Sequence, residues 1–472
     1  MRAPQRKKNL LLTTEAPDKQ ASDFPNIHQP IEVEELPDMT AEQRRILQKM
    51  LNSQDFFLLW GPPGTGKTSV MLHHLVGHLL SKTDEKILLL AYTNRAVDEI
   101  CEAIESLGEW VKKDYVRIGS RYSTGVQFHD QLLDKKIENV KTRKELKGVL
   151  ESHRVFVATV ASMNGKPELL ELIDFQRVVI DEASQILEPQ LVGLLPHFKH
   201  FTLIGDHKQL PAVVQQPLNE SEVQEELLHS IGLNNHRNSL FERLYKRCIS
   251  QNWTWAFDRL SHQGRMHSDI MQFPSVNFYE EKLHILPEKL GDFQLQTIDF
   301  QEIETSERLQ TLIVERRVLF LNTDTDNGNN FNKTNAPEAR LIGDLVHAFE
   351  KIYAKNNREM HPLSIGVITP YRAQIAQIQA ELQRRNFDVS KITIDTVERY
   401  QGGARDVILL SLCTNEVSQL SSLVSLSEEG VDRKLNVALT RARRQLVVVG
   451  NAAILKESEI YRKFIDLYHV DY

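Results

Sequence analysis

The sequence contains few cysteines, no long apolar run and no surplus of basic residues. Its 472 residues include only Cys101, Cys248 and Cys413, whose wide spacing indicates neither a disulfide framework nor a zinc site. No apolar run approaches the roughly 20 residues of a membrane-spanning helix. No apolar segment of signal-peptide type follows the basic stretch Met1 to Asn9. We therefore expect an intracellular protein, cytoplasmic or, in a eukaryote, nuclear, without a membrane partner.

The net charge and the length of the chain restrict its possible partners and its number of domains only weakly. The formal net charge is −7, which argues mildly against a nucleic-acid partner because phosphate contacts need Lys and Arg. A basic groove can nevertheless lie on an acidic surface, so the composition leaves the partner open. The chain is 41% hydrophobic and too long for a single core, which predicts two or three domains.

Short apolar runs alternate with helical patterns from Met39 onward, which predicts an α/β fold with parallel sheets. Residues 1–38 read as a tail or linker because they are polar and lack periodicity. We predict two tandem α/β domains, at 39–252 and 253–472, with a Lys/Glu-rich helical insertion at about 105–153 in the first. The predicted strands are Phe56–Trp60, Lys86–Ala91, Val155–Thr159, Val178–Ile180 and Phe201–Ile204, then Val318–Leu321, Leu363–Thr369, Ile392–Thr396, Val407–Leu412 and Gln445–Gly450.

A glycine-rich loop lies between the first predicted strand and an apolar helical segment. It matches the full P-loop pattern, and its predicted nucleotide-binding residues are Gly61, Pro62, Gly64, Thr65, Gly66, Lys67 and Thr68. Glycines let backbone N–H groups surround phosphates, and the following helix points its N-terminus at them. We expect Lys67 to reach the β- and γ-phosphates of ATP and Thr68 to hold Mg²⁺. A Gly/Pro-rich turn that merely contains a lysine would not need the flanking strand and helix.

Two carboxylates, Asp181 and Glu182, follow the predicted strand Val178–Ile180. A carboxylate pair at the end of a buried strand suits Mg²⁺ and an attacking water. We expect Asp181 to hold the metal, mainly through its water shell, and Glu182 to polarise the water. The alternative is a helix cap, since Asp and Glu favour first turns.

Further motifs follow the P-loop in a fixed order. The motif segments are Met39–Gln43, Gly61–Thr68, Ala91–Asp98, Ala158–Thr159, Ile180–Gln185, Gly205–Pro211, Gln263–His267, Thr369–Arg372, Thr396–Gly402 and Leu435–Arg443. Over about residues 39–455 the chain resembles superfamily 1 helicases of the 5′-to-3′ branch, which includes the RNA helicase of nonsense-mediated decay. The resemblance implies two tandem RecA-like domains that hydrolyse ATP in the cleft between them and move 5′-to-3′ along single-stranded DNA or RNA.

The resemblance also implies roles for residues outside the P-loop. Gln43 would read the adenine edge, and Gln209 would sense the γ-phosphate. Arg265 would face the γ-phosphate, and Arg441 would be the arginine finger. The remaining implied nucleotide contacts are Gln401 and Gly402. The implied nucleic-acid contacts are Thr93, Asn94, Thr159, Thr369, Pro370 and Thr396.

Three positions depart from the family pattern. Gly264 replaces a tyrosine that stacks on the base, so we expect weaker base contact. Ala404 replaces an acidic residue that bonds the ribose, so we expect weaker discrimination against deoxy-ATP. Tyr92 replaces a common proline, either to stack on a base or to complete the core at a strand end.

Two other functions compete with an ATP-driven translocase or helicase. One is a non-unwinding, nucleic-acid-stimulated NTPase that remodels protein–nucleic-acid complexes. The other is a binding module with a dead site, which the intact set of site residues disfavours. Only 42 residues precede Gln43, where family members often carry accessory domains. We therefore expect either a minimal core or a piece of a larger polypeptide or complex.

Overall fold

The computed structural model describes residues 5–19, 36–287, 290–300, 306–326, 333–400 and 403–472. These residues divide into two compact units. The first contains the described residues of Met1–His207 and Pro211–Leu260, and the second contains those of Lys208–Leu210 and Ser261–Tyr472.

Among the described residues, the first unit has a sheet of seven strands in the order β3-β4-β2-β5-β6-β1-β7. Its strands are β1 (Phe56–Trp60), β2 (Ile87–Ala91), β3 (Tyr115–Ile118), β4 (Val155–Thr159), β5 (Arg177–Ile180), β6 (His200–Gly205) and β7 (Phe257–Arg259). Every pair of neighbours is parallel, as predicted. Both faces of the sheet are covered, which explains the almost continuous apolar runs of β1 and β2.

Helices surround the sheet of the first unit. They are α1 (Gln5–Leu11), α2 (Ala41–Asn52), α3 (His73–Lys82), α4 (Asn94–Glu105), α5 (Leu133–Lys136), α6 (Arg143–Ser152), α7 (Val160–Asn164), α8 (Glu168–Leu172), α9 (Pro189–Val192), α10 (Glu226–Ser230) and α11 (Leu240–Ser250). A π-helical turn at Lys67–Leu72 leads directly into α3. The core between α2, α3, α4 and the sheet includes Ile46, Leu75 and Ile100, all buried.

The described part of the second unit contains a five-stranded sheet in the order β10-β14-β13-β11-β12 and a two-stranded pair. The strands are β8 (His262–Gln263), β9 (His284–Ile285), β10 (Val318–Asn322), β11 (Ile365–Ile368), β12 (Thr393–Asp395), β13 (Arg405–Ser411) and β14 (Ala442–Gly450). All pairs are again parallel. The two sheets confirm the predicted pair of α/β domains.

The helices of the second unit are α12 (Ser268–Phe278), α13 (Arg308–Glu315), α14 (Ala336–Lys355), α15 (Arg372–Arg384), α16 (Leu420–Leu423), α17 (Arg433–Leu439), α18 (Ala452–Leu455) and α19 (Glu459–Tyr468). The core packed against the five-stranded sheet includes Ile342, Phe349 and Ile378. Of the helices that the described residues form, none has both the length and the apolar character needed to cross a bilayer.

Two short strands, β3 and β7, were not predicted, and they change the domain organisation. The segment 105–153 is not a wholly helical insertion, because β3 lies within it and pairs with β4 as an integral strand of the sheet. β7 pairs with β1, so the first unit extends to Leu260 rather than ending at 252. Both strands are short and contain charged residues, so they lack the apolar runs by which the other strands are recognised.

The structure also differs from the predicted tail at 1–38. Helix α1 packs on the first unit, where Leu10 is buried. Arg6 Nη2 donates to Asp55 Oδ2 at 2.7 Å, and Arg243 Nη2 donates to the carbonyl oxygen of Leu11 at 2.7 Å. A helix of seven residues is too short to produce a clear apolar periodicity.

Candidate functional site

The P-loop connects β1 to the helix that begins at Lys67. Gly64 and Gly66 have φ of +76° and +80°, in the left-handed region that glycine enters without steric cost. The hydroxyl of Thr65 donates to the carbonyl oxygen of Pro62 at 2.8 Å, which fixes the turn between the two glycines. The sequence therefore places glycine where the loop needs it.

Glycine is also required at position 61, because there is no space for a side chain. A Cβ at Gly61 would lie 2.2 Å from Cγ of Lys67, so any larger residue would displace the lysine. Lys67 Nζ donates to the carbonyl oxygen of Gly61 at 2.7 Å. The ammonium group therefore lies against the loop, and the glycine leaves a cradle beside the amide groups that would receive a phosphate.

The hydroxyl of Thr68 joins the P-loop to the end of β5. It donates to Asp181 Oδ2 at 2.5 Å. Asp181 is buried, and burial together with the charge of Glu182 raises its pKa to about 6. A hydroxyl beside a buried carboxylate is an oxygen donor set that suits Mg²⁺. The predicted metal ligands Thr68 and Asp181 thus fit the ion.

Glu182 has an unusual backbone conformation. Its φ is +51°, in the left-handed region that non-glycine residues rarely occupy. Its backbone N–H donates to Asp181 Oδ1 at 2.8 Å, and Gln185 Nε2 donates to Glu182 Oε2 at 2.9 Å. These bonds hold the strained residue and its carboxylate next to the predicted metal ligands. Strain of this kind occurs frequently at active sites.

Gln43 lies close to the P-loop, where the resemblance implies a role in adenine recognition. Its Oε1 accepts from the N–H of Thr40 at 2.9 Å, which completes a capping box at the start of α2. Its Nε2 donates to the carbonyl oxygen of Thr65 at 3.1 Å. Gln43 therefore positions the P-loop relative to α2, while adenine recognition stays a prediction.

Three residues with implied roles at the γ-phosphate come together in the second unit. Arg441 Nη2 donates to Gln209 Oε1 at 2.9 Å, and Arg265 Nη1 donates to the carbonyl oxygen of Thr440 at 3.4 Å. Arg441 follows α17 and is buried, so it does not lie on a solvated helix face. Gln209 belongs to the segment Lys208–Leu210, which packs with the second unit although it follows β6.

The predicted nucleic-acid contacts of the first unit lie at the carboxyl ends of β2 and β4. Thr93 Oγ1 accepts from the N–H of Ala96 at 3.1 Å, and Thr159 Oγ1 accepts from that of Ser162 at 3.0 Å. Both threonines are therefore N-caps, of α4 and α7. Asn94 Oδ1 accepts from Arg117 Nη2 at 3.3 Å. Each side chain has a structural role, and contact with a nucleic-acid strand stays a prediction.

The remaining predicted residues lie in the second unit. Thr369 and Pro370 follow β11, and Thr396 follows its neighbour β12, so the three share one edge of the sheet. Gln401 and Gly402 lie outside the described residues.

The two departures in the second unit have structural counterparts. A Cβ at Gly264 would lie 2.5 Å from Cδ1 of Leu286, so a tyrosine could not replace Gly264 unless Leu286 moved. The carbonyl oxygen of Ala404 accepts from Arg405 Nη1 at 2.9 Å, and the methyl side chain of Ala404 offers no acceptor to a ribose.

One carboxylate near the site was missed by the sequence analysis. Burial raises the pKa of Glu99, on α4, to about 7; the nearby Arg95 opposes this rise, and the charges of Glu182 and Asp181 add to it. Glu99 therefore belongs to the electrostatic environment of the predicted metal site. Glu99 directly follows the Ala91–Asp98 motif, and the sequence gives no signal there, because a carboxylate on an amphipathic helix is usually only a solvated residue.

This fold and site define a P-loop NTPase built on parallel α/β sheets. Two family models, each described as an AAA domain, match the chain, one over residues 38–144 and 120–217 and the other over 236–453. The chain belongs to the superfamily 1 helicase family.

Three curated relatives illustrate the relationship. The chain is 31% identical over 419 residues to "DNA replication ATP-dependent helicase/nuclease JHS1" of Arabidopsis thaliana, with 88% of this chain and 28% of the relative aligned. It is 30% identical to "DNA polymerase alpha-associated DNA helicase A" of Saccharomyces cerevisiae, over 89% of this chain and 66% of the relative. It is 28% identical to "Regulator of nonsense transcripts 1 homolog" of Neurospora crassa, over 91% and 39%. The chain thus spans between about a quarter and two thirds of the length of these relatives.

Among solved structures, "Complex structure of Arterivirus nonstructural protein 10 (helicase) with DNA" is similar at a TM-score of 0.40 and 14% identity, over 83% of this chain and 59% of that one. A likeness this distant carries no weight for the function.

Proposed function

We propose that this chain is an ATP-dependent nucleic-acid translocase or helicase that moves 5′-to-3′ on single-stranded DNA or RNA. The observation that carries the proposal is the 2.5 Å contact between Thr68 and Asp181, beside the strained Glu182. It joins a P-loop to a carboxylate pair, the combination that ATP hydrolysis requires. The names of the relatives, which include an ATP-dependent helicase/nuclease and a DNA helicase, support the choice of nucleic acid as partner.

The first unit would bind the triphosphate. The P-loop amides and Lys67 would hold the β- and γ-phosphates, and Thr68 and Asp181 would hold Mg²⁺. When bound, Mg²⁺ neutralises charge that develops on the phosphate oxygens. Glu182 would accept a proton from the attacking water. Gln43 would position the P-loop and contact the adenine.

The second unit would supply positive charge to the γ-phosphate. Phosphoryl transfer leaves little covalent work for the protein, so catalysis consists of positioning and charge stabilisation. Arg441 and Arg265 are the proposed cations, and Gln209 is the proposed sensor that holds Arg441 in place. Gln401 and Gly402 are proposed to complete the nucleotide site.

A strand would pass along the carboxyl edges of both sheets. The proposed contacts are Thr93, Asn94, Thr159, Thr369, Pro370 and Thr396. Ligands of open α/β sheets bind outside the carboxyl ends of the strands, which supports this choice. We also propose an intracellular protein that works within a larger polypeptide or complex; the three free, buried cysteines suit a reducing compartment.

Displacement of a labelled strand from partial duplexes tests the proposal. We expect ATP-dependent displacement from a 5′ overhang, none from a 3′ overhang, and none by a Lys67→Ala variant on either. Displacement from 3′ overhangs alone would refute the direction. ATP hydrolysis that a strand stimulates without any displacement would favour the remodelling NTPase instead.

A further inference from the structure

The loop of residues 119–125 projects from the carboxyl end of β3. In the sheet β3 pairs with β4, and β4 pairs with β2, so that Ile118 lies level with Ala158 and Ala91 level with Thr159. The loop therefore begins at the same edge as Thr93 and Thr159, two of the proposed nucleic-acid contacts. Two interstrand spacings, roughly 10 Å, separate β3 from β2.

Hydrogen bonds attach this loop to the helix that begins at the same edge. The backbone N–H of Gly125 donates to Asp98 Oδ2 at 3.0 Å, and Arg117 Nη2 approaches Asp98 Oδ1 at 3.3 Å. The same guanidinium donates to Asn94 Oδ1 at 3.3 Å. Arg117 is fully buried. One buried arginine therefore fixes the position of the loop relative to Asn94.

The loop is also braced internally. Thr124 Oγ1 donates to the carbonyl oxygen of Ser120 at 2.9 Å, and the hydroxyl of Ser120 accepts from the N–H of Tyr122 at 3.3 Å. Held in this way, the loop presents Tyr122 entirely to solvent, with a relative exposure of 100%. The braced backbone fixes the position from which the Tyr122 side chain extends, so stacking a base on the ring has to order only the torsions of that side chain.

Two arginines at the same edge of the sheet as Tyr122 suit a polyanionic strand. Arg121 precedes it and is exposed. Arg95 lies in the first turn of α4, where it pairs with Glu99 at 3.4 Å and keeps 54% of its side chain exposed. Tyr92, which follows β2, is 36% exposed. Aromatic rings interleaved with cations are the combination that binds single strands without sequence preference, through base stacking and phosphate contacts.

We propose that Tyr122 is a nucleic-acid-binding residue on which a base of the single strand stacks, and that Tyr92 continues the same platform. The inference rests on the proposed function, since it assumes that a strand follows this edge. It adds a contact from outside the family motifs, in the segment where sequence analysis predicted only an inserted group of helices.

Binding of a labelled single-stranded oligonucleotide to the full chain, followed by fluorescence anisotropy, measures the contribution of the ring. Tyr122→Ala should weaken binding about 5- to 150-fold, the range found when a stacking aromatic is removed, and Tyr122→Phe should retain it. ATP hydrolysis without nucleic acid should not change, because the loop lies outside the phosphate site. Thermal unfolding should match the wild type, since the side chain is fully exposed.

Trp110 supplies a matched control. It lies in the same segment and is 49% exposed, but it precedes β3 and so lies toward the opposite edge of the sheet. Trp110→Ala should therefore leave binding unchanged. An equal loss in both alanine variants would mean a general effect of the segment and would overturn the proposal.

A strand that contains 2-aminopurine separates stacking from a structural effect. Stacking should quench its fluorescence with the wild type and Tyr122→Phe, and the quenching at one position should disappear with Tyr122→Ala. An oligonucleotide with an abasic site at that position should bind to the wild type and to Tyr122→Ala with equal affinity. If the wild type binds the strand and Tyr122→Ala binds it as tightly, Tyr122 is an ordinary exposed residue and the inference fails alone. If the wild type binds no strand, the proposed function fails with it.

Discussion

Glu182 combines an unusual backbone conformation with a proposed role as proton acceptor. A left-handed conformation costs a non-glycine residue about 1–2 kcal/mol, yet the chain has Glu at φ +51°. The position of this carboxylate after a predicted strand identifies it in the sequence. The strain cannot be predicted from the sequence, because the backbone angle depends on how β5 ends beside the P-loop.

A Glu182→Gln variant should therefore separate binding from turnover. The amide keeps the shape of the side chain but cannot accept a proton, so hydrolysis should fall about 10²- to 10⁴-fold while ATP still binds. A fluorescent ATP analogue reports binding, and phosphate release reports turnover. Turnover near the wild-type rate would exclude Glu182 as the proton acceptor.

Arg441 makes a comparable prediction in the second unit. If its guanidinium stabilises the transferring phosphoryl group, Arg441→Ala should lower kcat roughly 10³- to 10⁵-fold. Arg444→Ala is the matched control, because Arg444 lies three residues further on with a side chain that is 46% exposed. A similar loss of kcat in both variants would indicate damage to the start of β14 rather than a finger role.

At the scale of elements, what could be predicted depended on how each strand is buried. The strands β1, β2 and β4 have apolar residues on both faces, and the sequence predicts their positions to within one residue. β3 and β7 were not predicted because they contain Arg117, Asp258 and Arg259, each of which has a partner far away in the sequence. Such pairings are tertiary and leave no periodic signal.

Glu338, a buried residue of α14 that bonds to the end of β13, makes the stability of the protein depend on pH. Glu338 accepts from Ser411 Oγ and from the N–H of Cys413, both at 2.7 Å. Burial raises its pKa from 4.5 to about 7. The native state thus holds a proton that the unfolded state loses between these values, and stability falls as pH rises through them.

The prediction concerns the difference in free energy of unfolding between the wild type and Glu338→Gln. We expect the wild type to lose on the order of 3 kcal/mol relative to the variant between pH 4.5 and 7. Urea unfolding across this range, analysed for the second unit, measures the difference in slope. A difference that does not vary with pH, or that increases with pH, would contradict the raised pKa.

At the scale of the whole molecule, net charge gives no support to the proposed nucleic-acid partner. The value of −7 averages over the surface, whereas the proposed strand contacts form a small set at sheet edges. The division into two units was predictable from the two series of strands. The assignment of Lys208–Leu210 to the second unit was not predictable, because three residues after a strand form no sequence pattern that indicates where they pack.

The central claim is that a nucleic-acid strand controls ATP hydrolysis by this chain. The most direct test measures steady-state ATP turnover by the wild type as single-stranded DNA or RNA is added, with Lys67→Ala as the inactive reference. The account predicts slow turnover alone and a saturable increase with at least one of the two nucleic acids. Turnover that neither DNA nor RNA changes would contradict it.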